Sequence, residues 1–252
     1  LYKADADFTD VDKVTRSIFN AVVNFRWVPS DFLSFWEWEN SIINQYNLLP
    51  GQSAAEDQLP ALIGRSNQLK DLCDWILVQN EENIKKNSTI ISGNTGYGKT
   101  FLVYHSLKKL LSDNTVQYSD VMILPNDLQI GLESIRQIVP DPNSNNPIIF
   151  VIDKADEMEG LGELLKKLAS SPHFPRIKLI LTCQKDSVED IYRKCYPMIE
   201  ETRTKKLVLE IISVEELRTC PVARVLADDQ IRHINNIAHG MPVYIDLCLN
   251  RR

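Results

Sequence analysis

The chain has 252 residues, 44% hydrophobic and 25% charged, enough apolar content for one large domain or two small ones. Its net charge of −6 argues against a protein whose whole surface binds nucleic acid and leaves room only for a local basic patch. Cys73, Cys183, Cys195, Cys220 and Cys248 form no C-x-x-C pair, and no apolar run approaches the roughly twenty residues that span a bilayer, so neither a disulfide framework, a zinc site nor a membrane span is expected.

Reduced thiols fit a cytoplasmic compartment, or a nuclear one. The amino terminus has no signal-peptide pattern, and Leu1 is not expected to be the native start. Val14, Ile18, Val22 and Phe25 lie at helical spacing. Trp27, Phe32, Phe35, Trp36 and Trp38 then cluster around Pro29-Ser30-Asp31, where Ser30 or Asp31 can cap a helix continuing to Ile42, Ile43 and Tyr46. Such a cluster reads as the core of a small helical unit, or as a docking surface for a partner or for the rest of the protein. Residues 1–50 are therefore expected to form a helical, aromatic-rich segment, followed by a linker at 51–60 that is rich in Gly, Ser, Ala and acids.

From Leu62 the elements alternate. A helix is predicted over Gln68 to Gln79, with Leu69, Leu72, Trp75 and Ile76 on one side, and Ser88-Thr89-Ile90-Ile91-Ser92 reads as a buried strand. A helix from Lys99 follows, with Phe101, Leu102, Tyr104, Leu107, Leu110 and Leu111 on one face. Next come a strand near Val121 to Leu124, a helix from about Asn126 to Val139, and a polar loop at 141–146. Pro147 to Asp153 reads as a strand, Leu161 to Ala169 as a helix and Ile177 to Thr182 as a strand. This order predicts an α/β fold, a mainly parallel sheet covered on both faces, over residues 61–205.

A small helical lid is expected over 206–252. Ser213-Val214-Glu215-Glu216 fits a capping box, and short helices are predicted at Ala223 to Leu226, Asp228 to Ala238 and Val243 to Leu249. His105, His173, His233 and His239 have no ligand spacing and read as surface or packing residues.

The most informative stretch is Gly93-Asn94-Thr95-Gly96-Tyr97-Gly98-Lys99-Thr100, which fits G-x-x-x-x-G-K-[ST] between strand and helix. A polyphosphate is held by backbone N–H groups turned inward, and glycines permit that curl. Lys99 supplies a mobile charge for the β- and γ-phosphates, the Thr100 hydroxyl a ligand for Mg²⁺, and the helix its positive end. The nucleotide-holding set is expected to run from Gly93 through Phe101.

Five apolar residues ending in Asp153 supply the acid that Mg²⁺ needs at the carboxyl edge of the sheet, the Walker B pattern. The residue after it is Lys154, where many hydrolysing ATPases place the Glu that activates water. An ammonium cannot take that proton at neutral pH, so slow hydrolysis, or binding without turnover, is expected.

Over roughly residues 60–250 these motifs resemble the AAA+ and STAND branch of P-loop NTPases. Leu62-Ile63-Gly64-Arg65 is similar to an entry motif whose backbone lies near adenine, which implies roles for Ile63, Gly64 and Arg65. Leu181-Thr182-Cys183-Gln184 stands where a sensor of the γ-phosphate is found, although Arg is absent, and Thr182 is the implied hydrogen-bonding group there; Asp153 and Thr182 are the implied catalytic pair. Gly240-Met241-Pro242 resembles the Gly-x-Pro motif, which implies packing of Pro242 on the base.

The resemblance implies ATP or ADP with Mg²⁺, and protein partners or self-assembly. Two functions follow from it: a STAND-type switch in signalling or defence, or an AAA+ subunit of an origin-recognition or clamp-loader assembly acting on DNA. Asp153-Lys154-Ala155-Asp156, similar to a sequence in the fifth subunit of the eukaryotic origin recognition complex, favours the second. The acidic charge, the Gly-x-Pro motif and the amino-terminal extension favour the first.

Overall fold

The computed structural model describes residues 32–47, 62–77, 87–124, 147–170, 176–200 and 203–250. The helix expected before Phe25, the linker and the helix expected from Asn126 lie outside the described residues.

Five strands, β1 (Ser88–Ser92), β2 (Val121–Leu124), β3 (Ile148–Ile152), β4 (Ile177–Cys183) and β5 (Thr204–Val208), form one sheet in the order β2-β3-β4-β1-β5. Every pairing is parallel. β1 to β4 are buried along their whole length, as expected of strands covered on both faces. β5 is half-buried. The sequence reading missed β5 because Lys205 and Lys206 interrupt its apolar run.

Alternate residues feed two cores. On one face Ile148, Phe150 and Ile152 of β3 join Leu179 and Leu181 of β4 under α4 (Leu161–Ala169) and α5 (Val188–Cys195). On the other, Ile149, Val151 and Ile180 pack beneath α1 (Phe35–Asn47), α2 (Ser66–Leu77) and α3 (Lys99–Ser112). α5 had not been expected, whereas α4 has the bounds read from its spacing.

The described aromatics of the amino-terminal segment join these same cores. Phe35 stacks on Tyr104 of α3 at 5.6 Å between ring centroids, and Phe32 meets Phe150 edge-on at 5.3 Å. Each such pair contributes about 0.5–1.5 kcal/mol beyond its buried area. Leu33 also bridges to Ile123 of β2 through N–H···O bonds of 2.7 and 3.2 Å, so residues 32–43 are built into the sheet domain. Trp36 stays 40% exposed.

The segment expected to form a lid, called the lid below, comprises α6 (Val214–Thr219), α7 (Asp228–Ala238) and α8 (Pro242–Asn250). The capping box forms: Ser213 N–H donates to Glu216 Oε2 at 2.8 Å, and Glu216 N–H to Ser213 Oγ at 3.2 Å. Where a helix was expected at Ala223 to Leu226, the chain instead makes a 3₁₀ turn at Pro221–Ala223 and then a bend. Ile212, Leu217, Ile231, Ile234, Ala238 and Ile245 form the lid's own core, with Ile63 inserted among them. Among the described residues no helix is long and apolar enough to cross a membrane.

Candidate nucleotide site

The loop from Gly93 to Gly98 joins β1 to α3. Gly96 and Gly98 have φ of 83° and 85°, values that L side chains rarely adopt. Gly98 precedes α3 directly, so the first N–H groups of a 14-residue helix and its positive end face the loop. Gly93 is needed for a different reason. Leu209 N–H donates to Ser92 O at 2.7 Å, which brings the chain after β5 so close that a Cβ on Gly93 would lie 2.7 Å from Leu209 O.

Lys99 is buried and donates to the carbonyls of Gly93 at 2.7 Å and Asn94 at 3.0 Å. Burial lowers its pKa, and the nearby Asp153 and Asp156 oppose that shift. Thr100 Oγ1 lies 3.0 and 2.9 Å from the two carboxylate oxygens of Asp153, just beyond β3.

Between these two elements runs β4, which explains the position of Thr182. Fully buried, its hydroxyl donates to Asp153 and accepts the Lys154 N–H at 2.8 Å. Its one proton is thus committed to the acid, and Thr182 orients Asp153. Hydroxyl and carboxylate are hard oxygen donors, and Thr100 with Asp153 suits Mg²⁺, which takes one or two carboxylates and completes its shell with phosphate oxygens and water. Among the described residues no cluster of three His, Cys, Asp or Glu forms an all-protein metal cage.

A cleft of about 420 Å³ opens over the loop. Thr95, Gly96, Gly98, Lys99 and Thr100 line one end, with Lys154, Asp156 and Glu157 from beyond β3. Leu62, Ile63, Phe101, Pro242 and Val243 give the cleft an apolar wall. The start of α8 lies above the loop: a Cβ on Gly98 would be 3.8 Å from Pro242 Cγ, and one on Gly96 3.5 Å from Val243 Cγ1. That corner is fixed by Gly240, with φ of 66°, whose carbonyl accepts the Ile212 N–H at 2.7 Å.

Of the residues expected to hold nucleotide, Ile63, Arg65, Thr95, Gly96, Gly98, Lys99, Thr100, Phe101 and Pro242 line the cleft. Gly64, Gly93, Asn94, Tyr97, Asp153 and Thr182 are not among the residues that line it. Arg65 is only 2% exposed and donates to the carbonyls of Glu210 and Tyr97, tying the loop to the chain after β5. Desolvation lowers its pKa, while Glu216 and Glu210 pull the other way. Gly64, with φ of 64°, turns its backbone onto the lid, its N–H donating to Cys220 Sγ at 3.0 Å. Leu62 packs in the sheet-side core while Ile63 enters the lid core, so this entry strap joins the two bodies that flank the cleft.

Sequence reasoning named Gln184 within the sensor-like motif but gave it no role; its Nε2 donates to Thr95 Oγ1 at 3.0 Å while its N–H donates to Asp156 Oδ2 at 3.0 Å. Its place two residues after Thr182 was the available signal. Ile42 and Gln45 of α1, and Asp246 of α8, also line the cleft, brought there by packing alone. His105 packs on Tyr104 at 5.0 Å, and His239 ends α7 in the left-handed region.

No protein-family model matches the chain, and no curated protein matches it in sequence. Solved structures do match its fold. The S. cerevisiae Hsp104–ADP complex is 15% identical with a TM-score of 0.52, over 86% of this chain and 32% of that one. The extended S. cerevisiae Hsp104:casein complex gives 13% and 0.53, over 87% and 39%. Aeropyrum pernix ORC1 in complex with DNA gives 15% and 0.50, over 82% and 65%. The chain spans less than two thirds of the length of each of these proteins. With its five-stranded parallel sheet and flanking helices, it has the fold of the AAA+ P-loop NTPases.

Proposed function

We propose that this chain binds ATP or ADP with Mg²⁺ between the sheet domain and the lid, and serves as a nucleotide-governed subunit of a larger assembly with slow or no hydrolysis. One arrangement supports this most: the Thr100–Asp153 pair and Lys99 at one end of a cleft whose roof is Pro242 of the lid. Thr100 and Asp153 would hold Mg²⁺, which would neutralise charge at the phosphates, and Thr182 orients Asp153. Because sheet domain and lid both border the cleft, ligands that contact them differently shift their arrangement. Low turnover follows from Lys154, since the residue after the metal acid carries no base.

Calorimetric titration with MgATP and MgADP tests the reading. The wild-type chain is expected to bind, and Lys99→Ala to weaken binding about 10–100-fold, the loss expected for a charge-assisted contact. Equal affinity in both proteins contradicts it.

For the assembly, we favour an origin-recognition-type subunit. The Asp153-Lys154-Ala155-Asp156 similarity lies at the metal acid itself, and ORC1 of A. pernix, which shares the fold, was solved with DNA. A signalling switch is the second reading, supported by the Gly240-Met241-Pro242 motif, whose Pro242 lines the cleft, and the net charge of −6. Binding of duplex DNA that weakens steeply with salt supports the first, and no binding at low salt the second.

A further inference from the structure

We infer that Lys154 is the residue that makes this site discriminate nucleoside triphosphate from diphosphate, by giving its ammonium to the terminal phosphate. The inference rests on the nucleotide reading above and assigns a binding role to the position where hydrolysing relatives carry a base.

Three observations support it. First, Lys154 directly follows Asp153, which pairs with Thr100, and it lines the same cleft as Lys99 and Thr100. Thr100 and Asp153 would hold the metal that neutralises phosphate charge, and Lys154, next in the chain, borders that same end of the cleft, where di- and triphosphate would differ in charge. Second, its backbone is held in the left-handed region, φ 52°, which a lysine seldom adopts. Its N–H is bound by Thr182 Oγ1 at 2.8 Å, and its carbonyl accepts the Glu157 N–H at 2.9 Å. Such constraint concentrates at sites where a side chain must be aimed.

Third, the charge of Lys154 is available. Its side chain is exposed, and among the described residues its ammonium is in no ion pair. Asp156, two residues on, is turned to the Gln184 N–H instead. Lys99, by contrast, is buried over the loop's own carbonyls. Asp156, Glu157 and Asp246 line the cleft and Asp153 contacts Thr100 of its lining, so a terminal phosphate with two negative charges would meet four carboxylates and needs a further cation beside the metal and Lys99.

The test compares MgATP and MgADP affinities by calorimetry for the wild type, Lys154→Gln and Lys154→Arg, with thermal unfolding confirming that each is folded. Lys154→Gln is expected to weaken ATP about tenfold and ADP by less than about twofold, with Lys154→Arg restoring most of the loss. Equal weakening of both nucleotides, or no change in either while the wild type binds both, overturns the inference and leaves the nucleotide reading intact. Failure of the wild-type chain to bind either nucleotide overturns both.

Discussion

Thr182 and Asp153 sit at the ends of neighbouring parallel strands, and the hydroxyl of the first donates to the carboxylate of the second. The same oxygen accepts the Lys154 N–H, so one buried threonine sets both Asp153 and the residue after it.

Thr182→Val keeps the volume and removes this link. It leaves the part-buried Lys154 N–H without its acceptor and Asp153 with Thr100 as its remaining hydroxyl donor, so the chain is expected to lose about 1–3 kcal/mol of stability in urea unfolding. The Mg²⁺ concentration needed for half-maximal ATP binding is expected to rise, whereas Thr182→Ser retains both properties. An unchanged Mg²⁺ requirement in Thr182→Val would show that Asp153 is oriented without the hydroxyl.

Two glycines with left-handed backbones are expected to respond differently to alanine. At Gly160, φ 74°, an added Cβ meets nothing within 4 Å, and only the backbone preference is lost, about 1 kcal/mol. At Gly240, φ 66°, the Cβ would lie 2.7 Å from Ile212 O. Gly240→Ala is therefore expected to cost about 2 kcal/mol or more. It also displaces Pro242 and weakens nucleotide binding, while Gly160→Ala leaves binding unchanged. Parallel denaturation and nucleotide titrations check both.

Much of this architecture was legible in the sequence. β1, β2, β3 and α4 follow from unbroken apolar runs or clear helical spacing, and the loop from its three glycines and Lys99. What stayed hidden depends on tertiary contact. β5 carries two lysines and draws its strand character from pairing with β1. The aromatic group around Phe35 reads either as its own small core or as a docking surface, and nothing in its sequence singles out Tyr104 of the sheet domain as the ring it stacks on. Arg65 stands in a stretch that resembles a nucleotide-associated motif, yet its Nη2 donates to the backbone carbonyls of Tyr97 and Glu210, which only the fold brings within reach. The sensor-like Thr182 likewise points to a carboxylate two strand-ends away from the loop it was expected to serve.

Alkaline pH gives a separate test of the core. Burial, with Asp156 adding to it, pushes the Cys183 thiol up to about 12, and burial pushes Cys195 to about 11, from an ordinary 9.0. Because the unfolded chain ionises first, the contribution of these thiols is fully present below pH 9.0 and is lost as pH rises through about 12. Stability measured in urea is expected to fall across that window, and less steeply in Cys183→Ala. Both thiols are also expected to resist alkylation in the native state at mildly alkaline pH.

Lys154→Glu places a base where the wild type has an ammonium. At saturating MgATP, phosphate release is expected to rise by about tenfold or more, while the apparent affinity for ATP falls. Release that stays at the wild-type rate would mean that the cleft does not position a water.

The most direct test is a crystal structure grown with MgATP. The expected result has the triphosphate on the backbone N–H groups of residues 96–100, Mg²⁺ on Thr100 and Asp153, and the Lys99 ammonium moved from the carbonyls of Gly93 and Asn94 to the phosphates. A triphosphate bound elsewhere, or Lys99 still on those two carbonyls with nucleotide in the crystal, would contradict it.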